Sequence, residues 1–145
     1  MADPKEQSSQ MHIFLRRIGE ALSPYQLIEE YLKFYIESAH RRIALILRGR
    51  IPFRYPRKEY ENAPLERLIT MFSRHSDNED LIKRLRDALT KRNYVAHNAI
   101  NHYMEHHKDP AMAQSILDDL KKIENDGYDL VAQMHNELKK LRAIT

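Results

Sequence analysis

The segment that follows Asp109 constrains the fold more strongly than any other part of this sequence. Its apolar residues recur at steps of four or three, and they are Ile116, Leu120, Ile123, Leu130, Met134, Leu138 and Leu141, with Gly127 in the same series. This spacing lines them along one face of a helix that begins at the capping pair Asp109-Pro110. The heptad-like regularity predicts antiparallel bundle packing or a helix-mediated dimer. Gly127 either allows a close helix approach or marks a break between two helices.

The remainder of the chain is also predicted to be mainly helical. It contains only three glycines, and strand-like alternation is nowhere sustained. Capping and proline signals predict four further helices: a first after Ser8 or Ser9, a second from Ser23-Pro24 to about Arg48, a short third from Pro64, and a fourth from the capping box 76–79 to about Tyr103. The prolines between Gly49 and Pro64 predict a loop. The predicted fold class is all-α, an up-and-down bundle of four to five helices, in one domain over residues 1–145 with 1–8 flexible.

Composition excludes several classes of site and location. The chain has 145 residues and no cysteine, which rules out disulfides, thiolate metal sites and a cysteine nucleophile. The opening segment MADPKEQSSQ has no apolar core and cannot act as a signal peptide. No apolar run approaches the roughly 20 residues that cross a bilayer. We therefore expect a soluble, cytoplasmic protein with no membrane partner.

Positive charge is concentrated in one stretch of the chain. No acidic residue occurs from Ser38 to Lys58, whereas seven cations do: Arg41, Arg42, Arg48, Arg50, Arg54, Arg57 and Lys58. Phe53, Tyr55 and Tyr60 are interleaved with or follow them. This composition indicates a surface for a polyanion with aromatic stacking partners. The alternative is a solvated basic helix end and loop.

The six residues RNYVAH, Arg92 to His97, bring together the side chains best suited to a phosphodiester. Arginine offers a planar fork of donors that matches phosphate oxygens, and histidine can take and give a proton near neutrality. Asn93, His97 and Asn101 are spaced by four and form one polar stripe on the predicted fourth helix. Arg92 and His97 diverge by about 140° on an ideal helix. Either the length of the arginine bridges that gap, or helices from two subunits contribute to one site.

A purely structural interpretation of the same residues also has to be considered. Arg92 falls within the predicted apolar face, which is centred near Leu85, Leu89, Ala96 and Tyr103. A buried arginine needs a partner, so Arg92 could pair with a carboxylate such as Glu30 or Glu37. In that interpretation His97 merely borders the core.

The order Arg92-Asn93, three further residues, then His97, on a late helix of a small all-α bundle, resembles the HEPN superfamily. The motif of that superfamily is arginine, four to six residues, then histidine. The resemblance implies a metal-independent endoribonuclease without a cofactor, often a toxin or an antiviral effector. Such proteins act as homodimers with paired motifs in a basic cleft, and an antitoxin is a further candidate partner. One toxin branch carries a tyrosine two positions after the histidine; this chain has Ala99 there, so regulation through that tyrosine is not expected.

The resemblance also assigns roles to individual residues. His97 would transfer protons around the ribose 2′-hydroxyl and the leaving oxygen, and Arg92 would hold the scissile phosphate. Asn93 would orient the histidine or the phosphate. The predicted RNA contacts are Arg42, Arg48, Arg50, Arg54, Arg57 and Lys58. The expected products are a 2′,3′-cyclic phosphate and a 5′-hydroxyl end. The alternative function is a non-catalytic helical module that binds RNA or another protein on the same scaffold.

Three histidines after the motif raise the question of a metal site. His102 and His106 are four apart, as zinc ligands on a helix can be, and His107 follows. No third ligand accompanies them at a zincin-like spacing. We therefore predict a helix end rich in exposed histidines and no metal.

Overall fold

The computed structural model describes residues 3–144, and it confirms the all-α helical bundle. Six helices occur in this part of the chain: α1 (Pro4–Leu47), α2 (Lys58–Glu61), α3 (Leu65–Ser73), α4 (Glu79–His97), α5 (Ala99–His106) and α6 (Pro110–Ala143). α1, α4 and α6 form the body of the bundle, and α3 packs against α1 and α4. None of the described helices combines the length and apolar composition that a bilayer-spanning segment needs.

The predicted first and second helices are a single helix, α1. Its N-cap is Asp3, whose carboxylate accepts a hydrogen bond from the Lys5 amide at 3.1 Å, so residues 4–8 are helical. Ser23-Pro24 does not start a new helix. The Ser23 hydroxyl instead donates to the carbonyl of Gly19 at 2.9 Å, and Pro24 is buried within the helix.

Helices α1 and α6 lie parallel to each other along most of their length. The Tyr25 hydroxyl donates to the carbonyl of Ile123 at 3.0 Å. The Tyr31 hydroxyl and His135 Nδ1 are hydrogen-bonded at 3.2 Å. Nearer the C-terminal ends, the Arg42 guanidinium donates to the carbonyl of Arg142. In these contacts the residue numbers increase in the same direction along both helices, which makes the helices parallel. The chain must therefore run back through α4 and α5 before α6 begins.

Gly127 lies within α6, opposite Pro24 and Tyr25 of α1. A Cβ atom placed on Gly127 would be 2.6 Å from Cγ of Pro24 and 3.2 Å from a ring carbon of Tyr25. Of the two interpretations of this glycine, the close helix approach is therefore correct. The helix continues through it without a break.

Helix α4 runs antiparallel to α6, which agrees with the first of the two alternatives that the heptad-like pattern left open. Three contacts descend along α6 as α4 advances: Asn78 with Glu137 at 2.8 Å, Arg84 with Asp129 at 2.8 Å, and Lys91 with Asp126 at 3.1 Å. Asn78, rather than Ser76, is the N-cap, and its side chain accepts from the Leu81 amide. These contacts define which residues of α4 and α6 lie side by side along the bundle.

The predicted fourth helix is divided in two at Asn98. α4 ends at His97, and α5 begins at Ala99 after a residue with φ −119° and ψ −22°. RNYVAH therefore occupies the last turns of α4 instead of the middle of a longer helix. Tyr103, in α5, stacks on Phe14 of α1 with ring centroids 4.0 Å apart, which anchors the segment after the break.

Candidate functional site

The three predicted catalytic residues lie at the C-terminal end of α4. Arg92 is half-buried, whereas Asn93 and His97 are exposed. A guanidinium nitrogen of Arg92 donates to Oδ1 of Asn93 at 3.3 Å. The core face of α4 is formed by Leu81, Leu85, Ala88 and Val95, with Leu89 half-buried and Ala96 exposed. Arg92 thus borders the core and reaches the surface beside Asn93.

Arg92 has no carboxylate partner within residues 3–144. Glu30 pairs with Lys33 at 3.3 Å, and Glu37 pairs with both Arg41 and Arg57. The structural interpretation, in which one of these carboxylates neutralises Arg92, is therefore wrong. The guanidinium keeps donors that can serve an external anion.

Arg92 and His97 do not converge on one point in a single chain. α4 is helical through His97, so the divergence of about 140° expected from five residues of ideal helix applies. Asn93 and His97, one turn apart, do share a face. Asn101 lies beyond the break, in α5, and so the predicted stripe of three polar residues is not on one helix.

A tyrosine–histidine contact behind the motif was not anticipated from the sequence. The hydroxyl of Tyr94 and Nδ1 of His102 are hydrogen-bonded at 2.8 Å across the α4–α5 break. Burial, and secondarily the charge of Asp119, raises the pKa of Tyr94. His102 in turn meets His106 edge-on, with ring centroids 4.9 Å apart. These contacts hold α5 against α4 directly after His97.

The histidines of α5 do not assemble into a metal centre among the residues described. No group of three or more potential ligands from histidine, cysteine, aspartate and glutamate comes together there. His107 lies over Tyr103 with centroids 5.6 Å apart and bonds through Nδ1 to the carbonyl of Met104. One ring nitrogen, Nδ1, of both His102 and His107 is thus engaged by a protein group.

The basic stretch lies far from RNYVAH along the bundle. Lys91 is level with Asp126 of α6, and Arg42 is level with Arg142. Sixteen helical residues separate those two levels, or about 24 Å at 1.5 Å per residue. Arg42 and Arg92 therefore lie far apart within a single chain. The basic cleft that the resemblance implies lies between two subunits, and its lining by the basic stretch stays a prediction.

The six predicted RNA-contacting cations differ in their surroundings. Arg57 pairs with Glu37 at 2.8 Å, and Arg42 is directed to the carbonyl of Arg142. The other four make no ion pair within the described chain and are exposed: Arg48, Arg50, Arg54 and Lys58. Their contact with RNA stays a prediction.

The aromatic residues of this stretch surround His40 of α1. The ring centroids of Phe53, Tyr55 and Tyr60 lie 5.7, 5.5 and 6.2 Å from that of His40. The ring centroid of His75, which follows α3, lies 5.0 Å from that of His40. Tyr60 is 2% exposed, so its predicted stacking on a polyanion is wrong. We call these five residues the His40 cluster.

The His40 cluster contains two buried polar atoms without a hydrogen-bond partner among the described residues. They are Nδ1 of His40 and the hydroxyl of Tyr60. Burial lowers the pKa of His40, against the opposing charge of Glu59. Burial also lowers the pKa of His75, with His40 and Arg74 adding to the effect. Neutral imidazoles are therefore favoured in this cluster.

Comparison with known proteins gives no relative for this chain. No family model, no curated protein and no solved structure matches it.

Proposed function

We propose that this chain is a metal-independent endoribonuclease whose reaction centre is built from Arg92, Asn93 and His97. The observation that carries the proposal is the state of Arg92. Its guanidinium has no carboxylate partner in residues 3–144 and lies beside the exposed amide of Asn93. That amide is one turn from the exposed imidazole of His97. A cation prepared for an anion, next to a group that transfers protons, is the minimum that phosphodiester cleavage requires.

The proposed reaction is a transesterification within the RNA. The imidazole of His97 takes the proton of the ribose 2′-hydroxyl, and the 2′-oxygen forms a bond to phosphorus. The bond from phosphorus to the 5′-oxygen breaks, and the imidazolium returns the proton to that leaving oxygen. Arg92 binds the non-bridging phosphate oxygens, where negative charge increases in the transition state. The products are a 2′,3′-cyclic phosphate and a 5′-hydroxyl.

A second copy of the chain completes the proposed site. Because Arg92 and His97 point in different directions from α4, Arg92 of one subunit would meet the substrate held at His97 of the other. Two exposed apolar residues support an interface here: Ile100 is 46% exposed and Met104 is 52% exposed, both in α5 directly after the motif. Adjacent apolar surface of this kind is common where subunits meet.

Replacing His97 by alanine tests the assignment. His97→Ala should lower the rate of RNA cleavage at least about a hundredfold, which is the smallest contribution typical of general acid–base catalysis. In the proposed site no other group supplies the proton transfer. The chain should remain folded, because His97 is exposed at a helix end. The measurement is cleavage of a labelled RNA, with the 2′,3′-cyclic phosphate identified by mass spectrometry.

His12→Ala is the matched control, because His12 is another exposed helical histidine and lies in α1. It should cleave RNA as the unchanged protein does, and a chelator should have no effect on either. If the unchanged protein, freed of contaminating nuclease, leaves diverse RNAs intact, the non-catalytic module is the better account. Equal loss in His12→Ala and His97→Ala would point to a general defect and contradict the assignment.

A further inference from the structure

The C-terminal end of α1 and the loop after it carry the most exposed apolar side chains in the described part of the chain. Ile46 is 73% exposed, Leu45 68% and Ile51 61%. All three lie within the stretch that has no acidic residue. Exposed aliphatic residues are ordinary when they are scattered singly, but a group of neighbours requires an explanation.

Cations surround these aliphatic side chains. A shallow groove of about 420 Å³ is lined by Leu45 and Ile46 together with Arg42, Arg48 and Arg50, and Ile144 borders it. Arg48 and Arg50 are exposed and make no ion pair within residues 3–144. The helix ends here because Arg48 adopts a left-handed conformation with φ 48° and Gly49 follows with φ 74°. We call this surface the basic tip, and it consists of Leu45, Ile46, Ile51, Arg42, Arg48 and Arg50.

We propose that the basic tip binds the surface of an anionic lipid bilayer. Aliphatic side chains entering the boundary between headgroups and acyl chains, with arginines on the headgroup phosphates, are the two components of peripheral membrane binding. The sequence predicted no membrane partner because no segment can span a bilayer, but surface binding needs no spanning helix. This inference does not rest on the proposed reaction centre, since the tip lies far from RNYVAH. It assigns to lipid phosphates three of the arginines that the resemblance predicted as RNA contacts, Arg42, Arg48 and Arg50.

The chemistry of the tip favours lipid over the other polyanions. Single-stranded RNA is bound through aromatic stacking platforms as well as charge. The aromatic side chains of this stretch are packed around His40, and those presented to solvent at the tip are aliphatic. A second copy of the chain is also disfavoured, because two-fold pairing of this patch would bring arginines against arginines.

Vesicle co-sedimentation tests the proposal with the full chain. The protein should bind vesicles of phosphatidylcholine containing about one third phosphatidylserine and should not bind phosphatidylcholine alone. The triple variant Leu45→Ser, Ile46→Ser, Ile51→Ser should lose binding at least tenfold, since the inserted apolar area is removed. The double variant Arg48→Ala, Arg50→Ala should weaken it by roughly fivefold for each arginine.

A matched control separates the tip from exposed apolar surface in general. Leu27 and Phe34 are 45% and 52% exposed and lie on α1 outside the tip, so Leu27→Ser, Phe34→Ser should bind vesicles normally. Three results would overturn the proposal. These are no binding to anionic vesicles, undiminished binding by the triple variant with complete competition by single-stranded RNA, or self-association that the triple variant abolishes.

Discussion

At the scale of single residues, His40 combines a buried ring nitrogen with an aromatic environment. It lies on α1 directly before Arg41 and Arg42. Its Nδ1 is buried, and it is surrounded by the rings of Phe53 and Tyr55 in the following loop, of Tyr60 in α2 and of His75. A buried nitrogen without a partner opposes folding, so the loop must be held by aromatic packing strong enough to offset that cost.

The His40 cluster predicts that stability falls in mild acid. A histidine whose pKa is lowered by folding binds fewer protons in the folded chain than in the unfolded one. These histidines therefore contribute stability that is fully present above the ordinary histidine pKa of 6.5. That contribution is lost as pH falls from 6.5 through their lowered pKa values. The thermal midpoint should be lower at about pH 5 than at about pH 7, as measured by circular dichroism.

Replacing His40 by phenylalanine should reverse part of this effect. His40→Phe removes the unpartnered nitrogen from an aromatic environment, so we expect stability at about pH 7 to rise by roughly 1 kcal/mol. The dependence of the midpoint on pH should also become flatter, because one of the two low-pKa histidines is gone. His12→Phe, at an exposed position of α1, should leave the slope unchanged. An unaltered slope in His40→Phe would contradict the account.

At the scale of helices, the approach of α1 to α6 depends on a glycine opposite a proline. Gly127→Ala should destabilise the chain, because the new Cβ would lie 2.6 and 2.9 Å from two atoms of the Pro24 ring, which cannot rotate away. Overpacking of this kind costs about 1–3 kcal/mol, against a helix-propensity gain of about 1 kcal/mol. We expect a net loss of up to about 2 kcal/mol in chemical denaturation.

Gly19 provides the control for that substitution within the same bundle. It is exposed in α1, and a Cβ added there meets nothing within 4 Å. Gly19→Ala should therefore gain up to about 1 kcal/mol from helix propensity alone. If both substitutions changed stability in the same direction, close packing at Gly127 would not be the reason for its glycine.

The same contact explains which helix boundaries the sequence could predict. Asp109-Pro110 does begin a helix, and Asp3-Pro4 does so with the same two residue types. Ser23-Pro24 does not, although proline removes the amide that would serve the carbonyl four residues earlier. Burial of Pro24 against Gly127, a hundred residues away in the chain, holds the helix together there. A local signal cannot contain that information.

The sequence predicted that one helix carries the candidate residues, and it did not predict their surroundings. Arg92, Asn93 and His97 lie on one helix, as their spacing indicated, and their role as a site stays a prediction. The helix break at Asn98 was missed because asparagine is compatible with both a helix interior and a turn. The separation of Arg92 from the basic stretch follows from the parallel arrangement of α1 and α6, which the heptad-like pattern does not specify.

At the scale of the whole molecule, the proposed site predicts complementation between two inactive variants. If Arg92 of one subunit serves His97 of the other, a dimer of Arg92→Ala with His97→Ala contains one site with both native residues. Random exchange in an equal mixture makes half of the dimers mixed, so about a quarter of all sites should recover. RNA cleavage by the mixture, compared with each variant alone, is the measurement. Mixed dimers that form and remain inactive would contradict a shared site.

The parallel packing of α1 and α6 also has a consequence for how the chain folds. The hydrogen bonds that join these helices link residues separated by 98, 104 and 100 positions. Helical bundles usually fold fast because their contacts are local, and contacts this distant require closure of a long loop first. During synthesis α1 leaves the ribosome well before α6, so the first and longest helix waits for its main partner until nearly all of the bundle has been made.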